Sequence, residues 1–398
     1  MINDKNKDTW CVNAFHGLRG ANDGSTSPCC MYDGGYIDNP PLLLGRETID
    51  EHFNDPLLQQ LRSDLNNGIK NNKCNYCWNE ESAGLNSKRI RDNNKFLERN
   101  EPCEGLAYFE LNLGNNCNLS CRTCVPEVSS GWMKEAYDTG EKTKTYKEFA
   151  LNFKRYHQSY DDESPFWSEL IEKLPNIREL DFYGGEPFMS KKMWETLKIA
   201  QSTGASKHIV LHYNTNGTHF PEKEIESWKS FEQVNISFSI DGIGEQFDYM
   251  RYPASWDDVL VNMNKIIGLN EKFKNLTFTW CVTVSIPNIY YLPEIIEFYH
   301  THFKNLDVGL YINLVHRPSH YNIGILPDNV KSIITERLNT IPKDRDYVWR
   351  RLPGIINFMN AQSSDKLSMT TFFNITQKSD EYRNQEFYKT FEEYAKLF

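Results

Sequence analysis

The chain has 398 residues, with 44 Lys and Arg against 54 Asp and Glu, a formal charge of −10, and ten cysteines. That length implies two or three domains, or one large α/β domain with appendages, and 39% hydrophobic residues suffice for a sizeable core. The acidic excess argues against a protein that coats nucleic acid or an anionic membrane through a broad basic surface.

In chain order, Met1 to Trp10 is charged and polar. It lacks the apolar core of a secretion signal, so a cytoplasmic location is expected. Cysteines in a reducing compartment read as metal ligands rather than disulfides. Cys11, Cys29, Cys30, Cys74 and Cys77 form the first group. A Cys-x2-Cys pair with two distant cysteines can build a tetrahedral metal centre. Adjacent cysteines rarely both reach one centre, so either Cys29 or Cys30 supplies the fourth thiolate. Zinc and iron-sulfur both accept four thiolates, and both stay open. Lys88 to Asn100 is a polar run that reads as a linker and domain boundary.

Six apolar or alternating runs follow, each long enough for a strand: Ala107 to Leu113, Glu179 to Tyr183, His208 to Tyr213, Val234 to Ile240, Thr277 to Val284 and Val308 to Val315. Segments of helical character separate them, such as Phe166 to Leu174, Lys191 to Ser202, Trp256 to Leu269 and Tyr291 to His300. The alternation predicts parallel strands joined by crossover helices. In Val234 to Asp241, Val234, Ile236, Phe238 and Ile240 oppose Asn235, Ser237, Ser239 and Asp241. Thr277 to Ser285 alternates in the same way. An ordinary parallel sheet is apolar on both faces, so one polar face points to a barrel or half-barrel whose lumen holds a polar ligand. Asn275 to Pro293 is uncharged but rich in Thr, Ser, Asn and Pro, which suits a buried strand and turn, not a bilayer span. The stretch from Asp328 to Phe398 reads as helices packed outside, with no evident chemistry.

Directly after the first of these strands stands Cys117-Asn-Leu-Ser-Cys121-Arg-Thr-Cys124. Three thiolates leave one position of a 4Fe-4S cluster open for a ligand. The second strand ends in Gly184-Gly185-Glu186-Pro187, the third in Asn214-Thr215-Asn216-Gly217 and the fourth in Ser239-Ile240-Asp241-Gly242, with Asp248 to Arg251 continuing an Asp-x-x-Arg pattern. This series, over about Leu106 to Val315, resembles the radical S-adenosylmethionine (SAM) enzymes. Their Cys-x3-Cys-x2-Cys loop follows the first strand of a partial (β/α)6 barrel, and their Gly-Gly-Glu-Pro motif binds the methionine amino group of SAM. The resemblance implies a SAM-binding 4Fe-4S cluster on Cys117, Cys121 and Cys124. It further implies a SAM pocket lined by Gly184, Gly185, Glu186, Pro187 and Asn216, with Ser239, Asp241 and Arg251 facing the ribose or methionine carboxylate. A reducing partner such as flavodoxin or ferredoxin follows from the same likeness.

The N-terminal group, with Pro28-Cys29-Cys30 and Cys74-Asn-Tyr-Cys77-Trp78, resembles the auxiliary-cluster modules called SPASM and twitch domains. In one twitch group such a module precedes the barrel and carries a Glu and a Ser-x-Arg stretch, which Glu80, Glu81 and Ser87-Lys88-Arg89 fit. The likeness implies a second, auxiliary 4Fe-4S cluster on Cys11, Cys74, Cys77 and one of Cys29 and Cys30. The expected organisation is α/β: a twitch-like domain over 1–100, a radical SAM core over 101–327 and a helical extension over 328–398. The expected reaction is reductive cleavage of SAM to a 5′-deoxyadenosyl radical, followed by hydrogen abstraction from a polar substrate. A peptide is the first choice of substrate and a nucleotide or sugar the alternative; a non-catalytic metal-binding scaffold stands third. Cys281, on the polar face of the fifth strand, is either a hydrogen donor to a substrate radical or a small buried residue. His212 and Asn313 either contact substrate or are satisfied structural groups. Cys103 reads as a bystander.

Overall fold

The computed structural model describes residues 2–33, 42–99, 104–139 and 159–398. Cys103 lies outside them. Eight strands form one sheet: β1 (Gly17–Gly20), β2 (Thr26–Ser27), β3 (Tyr108–Asn112), β4 (Glu179–Tyr183), β5 (Val210–Thr215), β6 (Gln233–Ser239), β7 (Leu276–Val284) and β8 (Val308–Leu314), in the order β2-β1-β3-β4-β5-β6-β7-β8. β1 runs antiparallel to β2 and parallel to β3. The pairs β3 with β4, β4 with β5, and β7 with β8 are parallel.

The six expected strands are present, and β1 and β2 precede them. β1 is only Gly-Leu-Arg-Gly, too short to show a period in the sequence. Helices Pro165–Lys173, Lys191–Thr203, Trp256–Gly268 and Leu292–His302 lie between strands as their patterns predict. Their starts follow capping chemistry: Ser164, Ser190 and Ser255 each accept a backbone N–H of the first turn.

The expected linker is a correction. Lys88–Arg99 is an α-helix. Several of its polar side chains pair within the helix or with other elements. Lys88 lies 2.9 Å from Asp92 and 2.7 Å from Glu110, Arg89 2.7 Å from Glu81, and Asn93 receives the N–H of Val12.

The chain forms two compact units. The first comprises Met1–Asn116, Lys147–Tyr213 and Pro221–Asn235, the second Cys117–Tyr146, Asn214–Phe220 and Ile236–Phe398. The first has an aromatic core of Phe182, Phe188, Trp194, Tyr213 and Trp228, with neighbouring ring centroids 5.3 to 6.1 Å apart. Apolar residues of β3, β4 and β5 (Phe109, Leu111, Leu180, Phe182, Leu211, Tyr213) are buried on one face of that part of the sheet. The opposite face carries Tyr108, Glu110, Glu179, Asp181, Tyr183 and His212.

In the second unit, Trp280 of β7 packs on Trp256, Phe298 and Phe303. β7 alternates buried Phe278, Trp280, Val282 and Val284 with more exposed Thr277, Thr279, Cys281 and Thr283, so its polar face is as the alternation predicts. Residues from Asp328 onward form helices Asp328–Leu338, Asp346–Asn360 and Lys366–Arg383, followed by two short turns of helix. Among the described residues, no helix is long and apolar enough to cross a membrane.

Candidate metal and cofactor sites

In the second unit, the loop Cys117 to Cys124 is fixed by its backbone. Ser120 and Arg122 donate their N–H groups to the carbonyls of Tyr252 and Met250 at 2.7 and 2.8 Å. Ser129 donates to the Leu119 carbonyl, Ser130 to that of Cys117 at 2.9 Å, and the Trp132 indole to that of Cys121 at 2.6 Å. A loop held at so many points presents its side chains without paying to order them on binding.

Cys121 is buried, and Cys117 and Cys124 are half-buried. The Cys124 thiol donates to the Cys121 sulfur, and this bond, followed by the Arg251 charge, pulls the Cys121 pKa below its ordinary value while that of Cys124 rises. Arg251 Nη1 lies 3.7 Å from the Cys121 sulfur. Its Nη2 pairs with Asp241 at 2.6 Å. Asp241, only 1% exposed, also accepts the Thr283 N–H at 2.9 Å, and its carbonyl accepts from the Asn288 amide at 3.0 Å. Asn216 points its amide toward the Cys117 sulfur at 3.9 Å and donates to Asn118 at 3.0 Å. The structure thus brings Cys117, Cys121, Cys124, Asn216, Asp241 and Arg251 into one network. Donors aimed at two sulfurs favour thiolates, and three thiolates are the donor set a SAM-binding cluster requires.

Ser239 is half-buried at the end of β6, and Cys281 and Asn313 are half-buried on β7 and β8.

The Gly-Gly-Glu-Pro turn belongs to the first unit. Gly184 and Gly185 have φ of +73° and +51°. A Cβ on Gly184 would meet Asn112 at 2.8 Å, and one on Gly185 the Asn116 carbonyl oxygen at 2.3 Å, so both positions exclude side chains. Glu186 donates its N–H to that same carbonyl at 2.8 Å. Its carboxylate is buried and accepts the Phe188 N–H at 3.2 Å.

The first unit also gathers the N-terminal cysteines. Cys11, Cys29, Cys74 and Cys77 line one cavity of about 340 Å³, its open mouth included, with Met31, Leu65 and Trp78 among the other walls. Burial pushes the Cys11 and Cys74 thiols up to about 12, and those of Cys29 and Cys77 also rise. A bare thiolate is disfavoured in such a hole, and a metal centre is what relieves that penalty. Cys30 is not among the lining residues. Its N–H bonds to Glu110 at 3.0 Å, and Glu110, Lys88, Arg19 and Asp92 act on its thiol through their charge.

The Glu and Ser-x-Arg signals acquire a role here. Arg89 makes two hydrogen bonds to Glu81, at 2.9 and 2.7 Å, and one to the Trp10 carbonyl at 3.0 Å. Ser87 donates to Glu81 at 2.6 Å. Glu81, Ser87 and Arg89 therefore hold the backbone that carries Cys11. Glu80 is buried beside them in the helix Asn75–Ser82.

Some positioning residues gave no sequence signal. The Arg122 guanidinium, between two of the motif cysteines, is buried against the C-terminal helix. It bonds Asp380 at 2.5 Å and Gln385 at 2.8 Å and lies 4.0 Å from the Tyr249 ring centroid. Tyr249 donates to the same Asp380 at 2.7 Å. The extension that reads as external packing thus braces the cysteine loop.

The three-cysteine loop follows β3 and the glycine turn follows β4, the positions that the resemblance to radical SAM domains implies. Residues 111–287 match the family model described as the radical SAM superfamily; the chain carries a radical SAM superfamily domain over that stretch. Over 189 residues it is 24% identical to the sporulation killing factor maturation protein SkfB of Bacillus subtilis (strain 168), a match that covers 47% of this chain and 38% of SkfB. Similar solved structures are native anSMEcpe with bound AdoMet and Cp18Cys peptide (15% identity, 59% of each chain, TM-score 0.38) and Streptococcus suis SuiB bound to precursor peptide SuiA (10% identity, 74% of this chain and 51% of that one, TM-score 0.35). The chain spans less than two thirds of the length of each of these three.

Proposed function

We propose that the protein is a radical SAM enzyme that modifies a peptide and carries a second, auxiliary cluster in a twitch-like N-terminal module. The observation that carries this reading is the fixed loop on which Arg251 approaches Cys121, inside a stretch that matches the superfamily. When bound, a 4Fe-4S cluster on Cys117, Cys121 and Cys124 supplies the electron that splits SAM into methionine and a 5′-deoxyadenosyl radical, which takes hydrogen from the substrate. A reductant such as flavodoxin or ferredoxin would deliver that electron.

The chain's own groups bind and orient. Gly184 and Gly185 keep backbone close to the ligand, and Glu186 offers an acceptor to the cationic amine of SAM. Asn216, Ser239 and Arg251 supply polar contacts to its ribose and carboxylate, while Asp241 sets the Arg251 guanidinium. Cys281, on the polar face of β7, is our candidate for a hydrogen donor to a substrate radical.

For the second centre, the ligands are Cys11, Cys29, Cys74 and Cys77. Four thiolates accept either zinc or a four-iron cluster; the cluster is preferred because of the likeness of Cys74 to Cys77, Glu81, Ser87 and Arg89 to the twitch modules. A peptide is preferred as substrate because of the likeness to SkfB, named as the maturation protein of a sporulation killing factor.

Anaerobic iron and sulfide analysis tests the two-cluster assignment. The intact protein should hold about eight iron atoms, and the variant lacking Cys117, Cys121 and Cys124 about four. Zinc with no residual iron in that variant would overturn the auxiliary cluster.

A further inference from the structure

The polar face of β3, β4 and β5 holds a group of side chains that neither cluster uses. The strand register places Arg19, Glu110, Asp181 and His212 in one row across β1, β3, β4 and β5, and Glu179 stands two residues before Asp181 on the same face of β4. We propose that Glu179, Asp181 and His212 form a third metal centre, which binds a divalent first-row cation.

One ligand atom from each of the three lies within 4.8 Å of the others. Asp181 Oδ1 and His212 Nδ1 are 3.8 Å apart, too far for a hydrogen bond. Two adjacent ligands sharing one ion at bonds of about 2.1 Å stand about 3.0–3.4 Å apart, so the three side chains draw together to complete the site. Asp181 is 7% exposed. Its Oδ2 accepts from the Tyr183 hydroxyl at 3.2 Å, but the buried Oδ1 has no hydrogen-bond partner among the described residues. Asp181 and Glu179 both line a cavity of about 300 Å³, open solvent included.

The charge balance points the same way. Lys88 is committed to Asp92 and Glu110 at 2.9 and 2.7 Å. Lys95 stands 3.5 Å from Glu179, and Lys88 and Lys95 both act on Asp181 through their charge. Among these groups the carboxylates of Asp92, Glu110, Glu179 and Asp181 outnumber Lys88, Lys95 and Arg19, a negative excess that a cation removes. One imidazole and two carboxylates suit hard or borderline ions, while the thiol sites select softer ones.

The inference does not depend on the radical SAM reading, and its test reads binding instead of turnover. Manganese(II) is titrated anaerobically into the cluster-loaded protein and followed by loss of the free-ion electron paramagnetic resonance signal. The expected result is one bound ion per chain with a histidine nitrogen coupling in the pulsed spectrum. Affinity should fall by about tenfold or more in both Asp181→Asn and His212→Gln and stay unchanged in the surface variant Glu392→Gln. Binding of the cation by the intact protein only above about 1 mM would overturn the site. So would bound manganese without a nitrogen coupling, a result that needs no variant to fold, or folded variants that bind as the parent does.

Discussion

Arg251 stands between Asp241 and Cys121, 2.6 Å from the carboxylate and 3.7 Å from the sulfur. The carboxylate fixes the guanidinium, and the guanidinium stabilises negative charge on the thiol. Replacing Arg251 by Ala strands a carboxylate that is 1% exposed. The loss in folding stability should be about 3–5 kcal/mol, the usual result of breaking a buried pair from one side. Urea unfolding measures it. Asp241→Asn, which leaves a hydrogen-bonding group in place, should lose less.

The two adjacent N-terminal cysteines should separate cleanly. Cys29 lines the auxiliary cavity, whereas Cys30 turns to Glu110 and Lys88. Cys29→Ala should therefore lose about four iron atoms per chain and Cys30→Ala none. Equal iron loss in the two variants contradicts the assignment.

Asp380 joins the C-terminal helix to the cysteine loop through Arg122 and Tyr249. Removing its carboxylate in Asp380→Ala leaves the buried Arg122 charge without its acidic partner. A cost of about 3 kcal/mol or more is expected in chemical denaturation. Loss of iron from the Cys117 to Cys124 site should accompany it, because the loop loses a brace.

His52 supplies a pH dependence. It is fully buried, with Nδ1 2.9 Å from the Thr26 hydroxyl, and burial lowers its pKa. The unfolded chain then binds the proton more readily than the folded one. Its contribution to stability is complete above the unfolded value of about 6.5 and is lost as pH falls from there through the folded value. Relative to His52→Gln, the parent should lose stability between about pH 7.5 and pH 5 in parallel thermal melts; no change in the difference would exclude His52 as the cause.

The sheet was legible where the sequence repeats with period two. β7 alternates strictly over nine residues, so its buried and polar faces follow from the order of residues alone. β1 has four residues, two of them glycine, and gains its place only by pairing with β3. The helix Lys88–Arg99 reads as a linker because the groups that neutralise it, Glu81 and Glu110, come from other elements. The motif cysteines and the glycine turn were legible because their chemistry fixes residue type and spacing. Arg122 and Asp380, 258 residues apart, carry no local signal of their contact. That Cys29 lines the N-terminal cavity and Cys30 does not is invisible in the sequence for the same reason.

The central claim is that this chain cleaves SAM reductively. Anaerobic reconstitution with iron and sulfide, incubation with SAM and dithionite, and chromatography of the products measure 5′-deoxyadenosine directly. The account predicts that it forms with the intact protein and disappears when Cys117, Cys121 and Cys124 are replaced together. Its absence from fully cluster-loaded protein, or its persistence without those three thiols, would contradict the account.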